Sequence, residues 1–297
     1  MEKGNSTGIL ILLGVVAIAL MGGVKNTNVG PILNNNQTAT QNTTSTTSTE
    51  QKTENIQSQI ESLKIQIQAK EEEVNQSQYK GIVTLSYINR STNPNQEYAT
   101  IRVSDNSTST IQVTGWTLKS LSTGNQVAIP KGTYLFFTGM MNTEDNIFLV
   151  GGDTLYLVTG TSPTGANFKA NKCSGYLGQY QTFVPYLSAS CPAPRDEDLS
   201  SIPNLVINDA CFDFINSMSS CKTQTDPLPP TWSAECTNFI YNKINYPSCI
   251  NTHRNDKDFY QKEWRVYLKR SESIWKDRRE TIVLYDNEGK IVDTLKY

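Results

Sequence analysis

The chain has 297 residues, with 26 Lys+Arg set against 28 Asp+Glu, which allows one large domain or two modest ones and gives no overall bias toward nucleic acid or anionic lipid. A single histidine, His253, excludes a multi-histidine metal site and confines any Ser-His-Asp or Cys-His arrangement to one ring.

Residues 1–25 read as an N-terminal membrane anchor. Gly8 to Val24 carries no charge and has an apolar core from Ile9 to Met21. That is the short end of what crosses a bilayer as a helix. A cleaved signal peptide is the alternative, but Met21, Gly22 and Gly23 suit a signal peptidase poorly. Lys3 and Lys25 flank the run almost symmetrically, so flanking charge leaves the orientation open.

Residues 26–49 are nearly all Asn, Thr, Gln and Ser. So few apolar groups cannot offset chain entropy, and a disordered stalk is expected. Residues 50–78 change character. Ile56, Ile60, Leu63, Ile67 and Val74 form an a/d seam, with Lys70 at the missing position. A short coiled coil is expected. It serves either as a homo-oligomerising neck through residues 56–74 or as a helix packed on the domain that follows.

From Gly81 the period becomes two. Strands are expected over Ile82–Ile88, Glu97–Val103, Ile111–Val113, Gly115–Lys119, Asn125–Ile129 and Asp153–Val158, separated by Asn-, Gly- and Pro-rich turns. Glu280–Tyr285 and Lys290–Tyr297 form a closing hairpin around Asp286-Asn-Glu-Gly289. Short strands at this spacing imply a mainly β, antiparallel sandwich.

Glu97-Tyr98, Arg102-Val-Ser-Asp-Asn106 and Ile111-Gln-Val-Thr-Gly-Trp-Thr-Leu118 resemble the lamin-tail domain, as does the closing hairpin. The resemblance covers roughly residues 80–160 and 273–297. It implies an immunoglobulin-like sandwich that binds or supports, with no catalytic machinery, of the type found on membrane-anchored bacterial surface proteins. Trp116 is expected to fill the space between sheets, with Trp264 and Trp275 as further core residues. The chain departs from the family's pattern by a long insertion, at about 171–270, ahead of the closing hairpin.

The insertion holds all six cysteines: Cys173, Cys191, Cys211, Cys221, Cys236 and Cys249. None has zinc-knuckle spacing. An even number behind a membrane segment reads as three disulfides outside the cell. Spacing suggests Cys173–Cys191, which closes a loop worth roughly 3 kcal/mol, with Cys221–Cys236 and Cys211–Cys249 nested in a helical hairpin; other connectivities remain open. The hairpin's first helix is expected to open near Pro192–Asp198 and run to about Ser220. The second is expected over Ser233–Tyr246, capped by Thr231.

Tyr176, Tyr180, Phe183 and Tyr186 line the first loop. With Gln179 and Gln181 the rings either bind a sugar or peptide, or they pack the loop onto the sandwich. A further helix is expected from Phe259 to about Arg270, with Asp258 as its N-cap. His253, Asp256 and Asp258 form the one cluster that a hydrolase could use. Lys262, Arg265, Lys269, Arg270, Lys276, Arg278 and Arg279 interleave with acids. That basic run reads as an ion-paired face more than a nucleic-acid patch.

The sequence thus points to a non-enzymatic, single-pass surface protein with an extracytoplasmic C-terminal domain, without cofactor or metal. It presents its insertion to an extracellular protein or glycan. An extracellular nucleic-acid-binding role and a hydrolase built on His253 are the alternatives.

Overall fold

The computed structural model describes residues 46–202 and 209–297. The expected anchor at residues 8–24, and the expected stalk as far as residue 45, lie outside the described residues. Among the described residues, no helix is long and apolar enough to cross a membrane.

Two compact units divide the chain, residues 1–62 and 63–297. The described part of the first is a helix, α1, Thr46–Val74, which continues into the second. It begins inside the segment expected to be stalk: Thr46 to Thr49 are helical. Once a helix is nucleated, each added residue gains a hydrogen bond, so weak formers can extend a good segment. The seam residues Ile56, Leu63 and Val74 are exposed in the single chain.

Beyond α1 the chain is mainly β, with eleven strands among the described residues. These are β1 Val83–Asn89, β2 Tyr98–Val103, β3 Ile111–Gln112, β4 Thr117–Ser120, β5 Gln126–Ala128, β6 Phe148–Leu149, β7 Thr154–Val158, β8 Phe168–Asn171, β9 Tyr260–Tyr267, β10 Thr281–Tyr285 and β11 Ile291–Lys296. One sheet has the order β1-β2-β7-β9-β8 and a second the order β11-β10-β4-β5. A two-stranded ribbon joins β3 to β6.

Alternation along the strands aims one row of side chains at a core shared by the two larger sheets. Ala99, Ile101 and Val103 of β2, Leu118 of β4, Leu155 and Leu157 of β7, and Ile282 and Leu284 of β10 all belong to it. In β1 the register shifts between Leu85 and Tyr87. The bulge returns Ile88 to the face that Val83 and Leu85 occupy. Trp116 is buried in this core, with its ring 5.2 Å from that of Tyr79. Gly115 has φ +89°, and a Cβ there would stand 2.6 Å from Asn287 Oδ1. Only glycine lets the tip of the closing hairpin approach so closely.

Three expectations are corrected. The segment expected as a helix from Phe259 to Arg270 is strand β9, which lies between β7 and β8. Trp264, Arg265, Val266 and Tyr267 are consecutively buried, because both faces of that strand are covered. A continuous buried run has no period of two to read. β9 also runs parallel to β7, so the larger sheet is mixed where an antiparallel one was expected. Asp258, finally, caps no helix.

The expected helical hairpin is replaced by shorter pieces. Turns of 3-10 helix occupy Ser174–Gln179, Pro194–Asp196 and Leu199–Ser201. Among the described residues, the α-helices here are α2 Asp209–Ser217, α3 Ala234–Lys243 and α4 Tyr246–His253. Ser233, not Thr231, caps α3, its hydroxyl accepting from Cys236 N. These pieces enclose a second hydrophobic cluster, which includes Phe168, Val158 and Phe136 of the strand-bearing region.

Candidate functional site

All six cysteines pair, as Cys173–Cys249, Cys191–Cys221 and Cys211–Cys236. Each pairing differs from the expected one. The nested arrangement needed two long antiparallel helices, whereas α2 ends at Ser217 and leaves Cys221 in the following loop. Cys211 and Cys236 instead join α2 to α3. Cys249, on α4, meets Cys173, the residue that opens the 3-10 helix Ser174–Gln179.

That last bridge assembles a cleft of about 440 Å³. The 3-10 helix supplies Tyr176 and Leu177, and Tyr180 follows at its end. The start of α4 supplies Tyr246 and Pro247. Asn245 caps α4, its Oδ1 accepting from Ser248 N at 3.0 Å, and Pro247 falls in the first turn, where backbone N–H groups have no intrahelical partner and a proline loses nothing. The opposite wall comes from loops around Phe136 and Thr164. The Tyr246 hydroxyl donates to the Phe136 carbonyl at 2.9 Å and ties the walls together. Gln179 pairs with the Thr223 backbone in both directions, at 2.7 and 2.9 Å.

No residue lining the cleft is charged. Burial, reinforced by the nearby Glu197 carboxylate, pushes the Tyr176 phenol up to about 12. Burial also raises the Tyr246 phenol. Both hydroxyls are therefore neutral throughout the physiological range. Among the described residues, the side chains of Thr138, Gln181 and Thr223 make no hydrogen bond with the protein.

No protein-family profile matches the chain, and no curated protein matches it either.

The four aromatic residues singled out from sequence do not form one surface. Tyr176 and Tyr180 line the cleft, the first buried and the second 64% exposed. Phe183 and Tyr186 line an adjoining hollow of about 200 Å³, which shares Gln181 with the cleft. Phe183 is buried edge-on against Phe168, with ring centroids 6.1 Å apart, and Tyr186 is 84% exposed. The backbone beneath Tyr186 is clamped by Arg265. This guanidinium is buried, donates to Tyr186 O at 2.8 Å and to Pro185 O, pairs with Glu263 at 2.6 Å, and stacks over the Tyr156 ring at 4.6 Å. Trp264 lies in the core in a T-shaped contact with Tyr134, and Trp275 is buried in the same core. Phe136 carries no signal in the sequence, and Asn245 and Tyr246 fall at the end of the helix expected over Ser233–Tyr246; the chain instead breaks at Ile244 and starts α4 at Tyr246, as the helix-start signal of Asn245-Tyr246-Pro247 allows.

His253 ends α4. Its Nε2 meets Glu197 Oε1 at 3.0 Å and its Nδ1 meets Asp256 Oδ2 at 2.9 Å. Lys172 then bonds both Asp256, at 2.9 Å, and Asp258, at 2.7 Å. Burial alone would lower the His253 pKa, but hydrogen bonds to Glu197 and Asp256 outweigh it and raise the pKa. With both ring nitrogens held by carboxylates, neither is free to take a proton from a substrate. Among the described residues, no group of three or more His, Cys, Asp or Glu is placed to hold a metal ion.

Proposed function

We propose that this chain is a membrane-anchored, extracytoplasmic binding module without catalytic activity. Residues 8–24 serve as the anchor, and a lamin-tail-like, immunoglobulin-like sandwich carries the cysteine-rich cap toward an extracellular partner. The uncharged aromatic cleft carries this reading. It has the size of small-ligand sites, about 300–1,000 Å³, and their combination of aromatic walls with a few polar groups. The Cys173–Cys249 bridge fixes two of its walls, and such pre-organisation reduces the entropy lost on binding. Three disulfides and no free cysteine among the described residues accord with an oxidising compartment.

The exposed seam of α1 supports self-association through residues 56–74, which would multiply weak sites by avidity. Arg265, within the basic run, is buried and committed to Glu263 and backbone carbonyls, which removes it from any nucleic-acid surface, although the other six cations of the run are exposed. A hydrolase built on His253 is disfavoured by the double engagement of its ring.

Capture of a ligand by the full chain from the cell exterior tests the role. Saturable binding that survives added salt is expected. Binding that collapses with modest salt would instead point to phosphate contacts.

A further inference from the structure

We infer that the ligand of the Tyr176–Tyr180–Tyr246 cleft is an uncharged oligosaccharide. This deepens the binding role proposed above and rests on it. A pyranose ring has an apolar C–H face and a rim of hydroxyls that both donate and accept. The π face of an aromatic ring is electronegative and attracts polarised C–H groups. Tyr180 presents such a ring, exposed at the cleft and adjoining the cleft residue Gln181.

The remaining chemistry matches the rim of a sugar. Threonine hydroxyls and the glutamine amide each donate and accept, and those of Thr138, Gln181 and Thr223 have no protein partner among the described residues. Thr138 and Gln181 are exposed and Thr223 is half-buried, so water serves them in the free chain; a ligand that covers them has to replace that water, which sugar hydroxyls do and a purely apolar ligand does not. Charge narrows the class further. With no Lys, Arg, Asp or Glu in the lining, the cleft offers no counter-ion to a sulfated, sialylated or phosphorylated ligand. A peptide bound by strand addition needs an open sheet edge, and the lining comes from a 3-10 helix, the start of α4 and loops.

The full chain, purified in a detergent without a sugar headgroup, is tested by calorimetry. The probes are neutral hexose and N-acetylhexosamine oligomers, their sulfated or sialylated counterparts, and proline-rich peptides. Saturable binding to a neutral oligomer, unchanged by added salt, is expected. Tyr180→Ala should weaken it about tenfold, the loss of roughly one aromatic stacking contact, with an unchanged melting temperature because the ring is exposed. Tyr180→Phe should retain binding. Binding to no neutral oligomer at millimolar concentration would overturn the saccharide assignment. So would Tyr180-dependent binding of the peptides alone, although the cleft would then stand as a binding site. Neutral-sugar binding indifferent to both Tyr180→Ala and Gln181→Ala would remove the cleft from the account altogether.

Discussion

The carboxylate of Glu97 accepts from the backbone N–H groups of Ile274 and Trp275, at 2.8 and 3.1 Å, from more than 170 residues away in sequence. It also accepts from the Thr159 hydroxyl at 2.6 Å. One buried acid beside strand β2 thereby fixes the connection that leads from β9 into the closing hairpin, and it seats Trp275 in the core.

Glu97→Ala leaves those three donors buried without an acceptor. Each unsatisfied donor costs about 1–3 kcal/mol, so a loss of roughly 3 kcal/mol or more is expected. Glu97→Gln keeps one acceptor oxygen and should lose less. Chemical denaturation of the two variants against the parent chain measures the order, and equal stability of all three would contradict the relationship.

Arg265 holds the loop at Pro185 and Tyr186 onto β9. Arg265→Met removes the guanidinium and frees that backbone. Loss of a buried charged partner typically costs about 3–5 kcal/mol, and the partial exposure of Glu263 places this case at the lower end. Hydrogen exchange should quicken across residues 183–188 well before it does in β2. Uniform acceleration across the sheet would mean that Arg265 supports the sandwich and not the loop.

Several of these elements were readable in the sequence because one face of each meets the core and the other does not. β2, β4, β7 and β11 alternate over most of their length, and their turns carry Asn and Gly. The Asp286 side chain, for example, accepts from Glu288 N and Lys290 N while Gly289 takes φ +75°. β9 was unreadable for the opposite reason. Its buried arginine and flanking charges imitate a helix, and its burial depends on β8 and on a loop distant in sequence. Disulfide partners were also beyond local pattern: Cys173 meets Cys249 because α4 packs beside the 3-10 helix, and neither packing nor α4 itself follows from spacing. The cleft draws Tyr176, Thr223 and Tyr246 from separate segments, so of its lining only Tyr176, Tyr180 and Gln181, all in one loop, could be singled out in advance.

His253 links α4 to the segment bearing Glu197. Its pKa is raised in the folded chain. The stabilisation it gives is therefore complete below the unfolded value, near about 6.5, and disappears as pH rises through the higher folded value. The stability difference between the parent chain and His253→Gln should shrink on going from mildly acidic to alkaline solution. A difference that grew with pH would reverse the assigned sign.

The Cys173–Cys249 bridge spans 76 residues of sequence. In the chain-entropy model, closing a loop of that size is worth about 4.5 kcal/mol. A Cys173→Ala/Cys249→Ala chain should lose stability of that order and bind ligand more weakly than its residual fold would suggest, because the 3-10 helix and α4 are no longer pinned. Unchanged binding by a folded double variant would show that the cleft needs no brace.

Non-reducing peptide mapping of the chain, taken from its native membrane under thiol-blocking conditions, tests the central claim of an extracytoplasmic, disulfide-braced module most directly. The account predicts three linked peptides, Cys173–Cys249, Cys191–Cys221 and Cys211–Cys236, with no blocked thiol. Recovery of all six cysteines as blocked thiols would place the domain in a reducing compartment and contradict it.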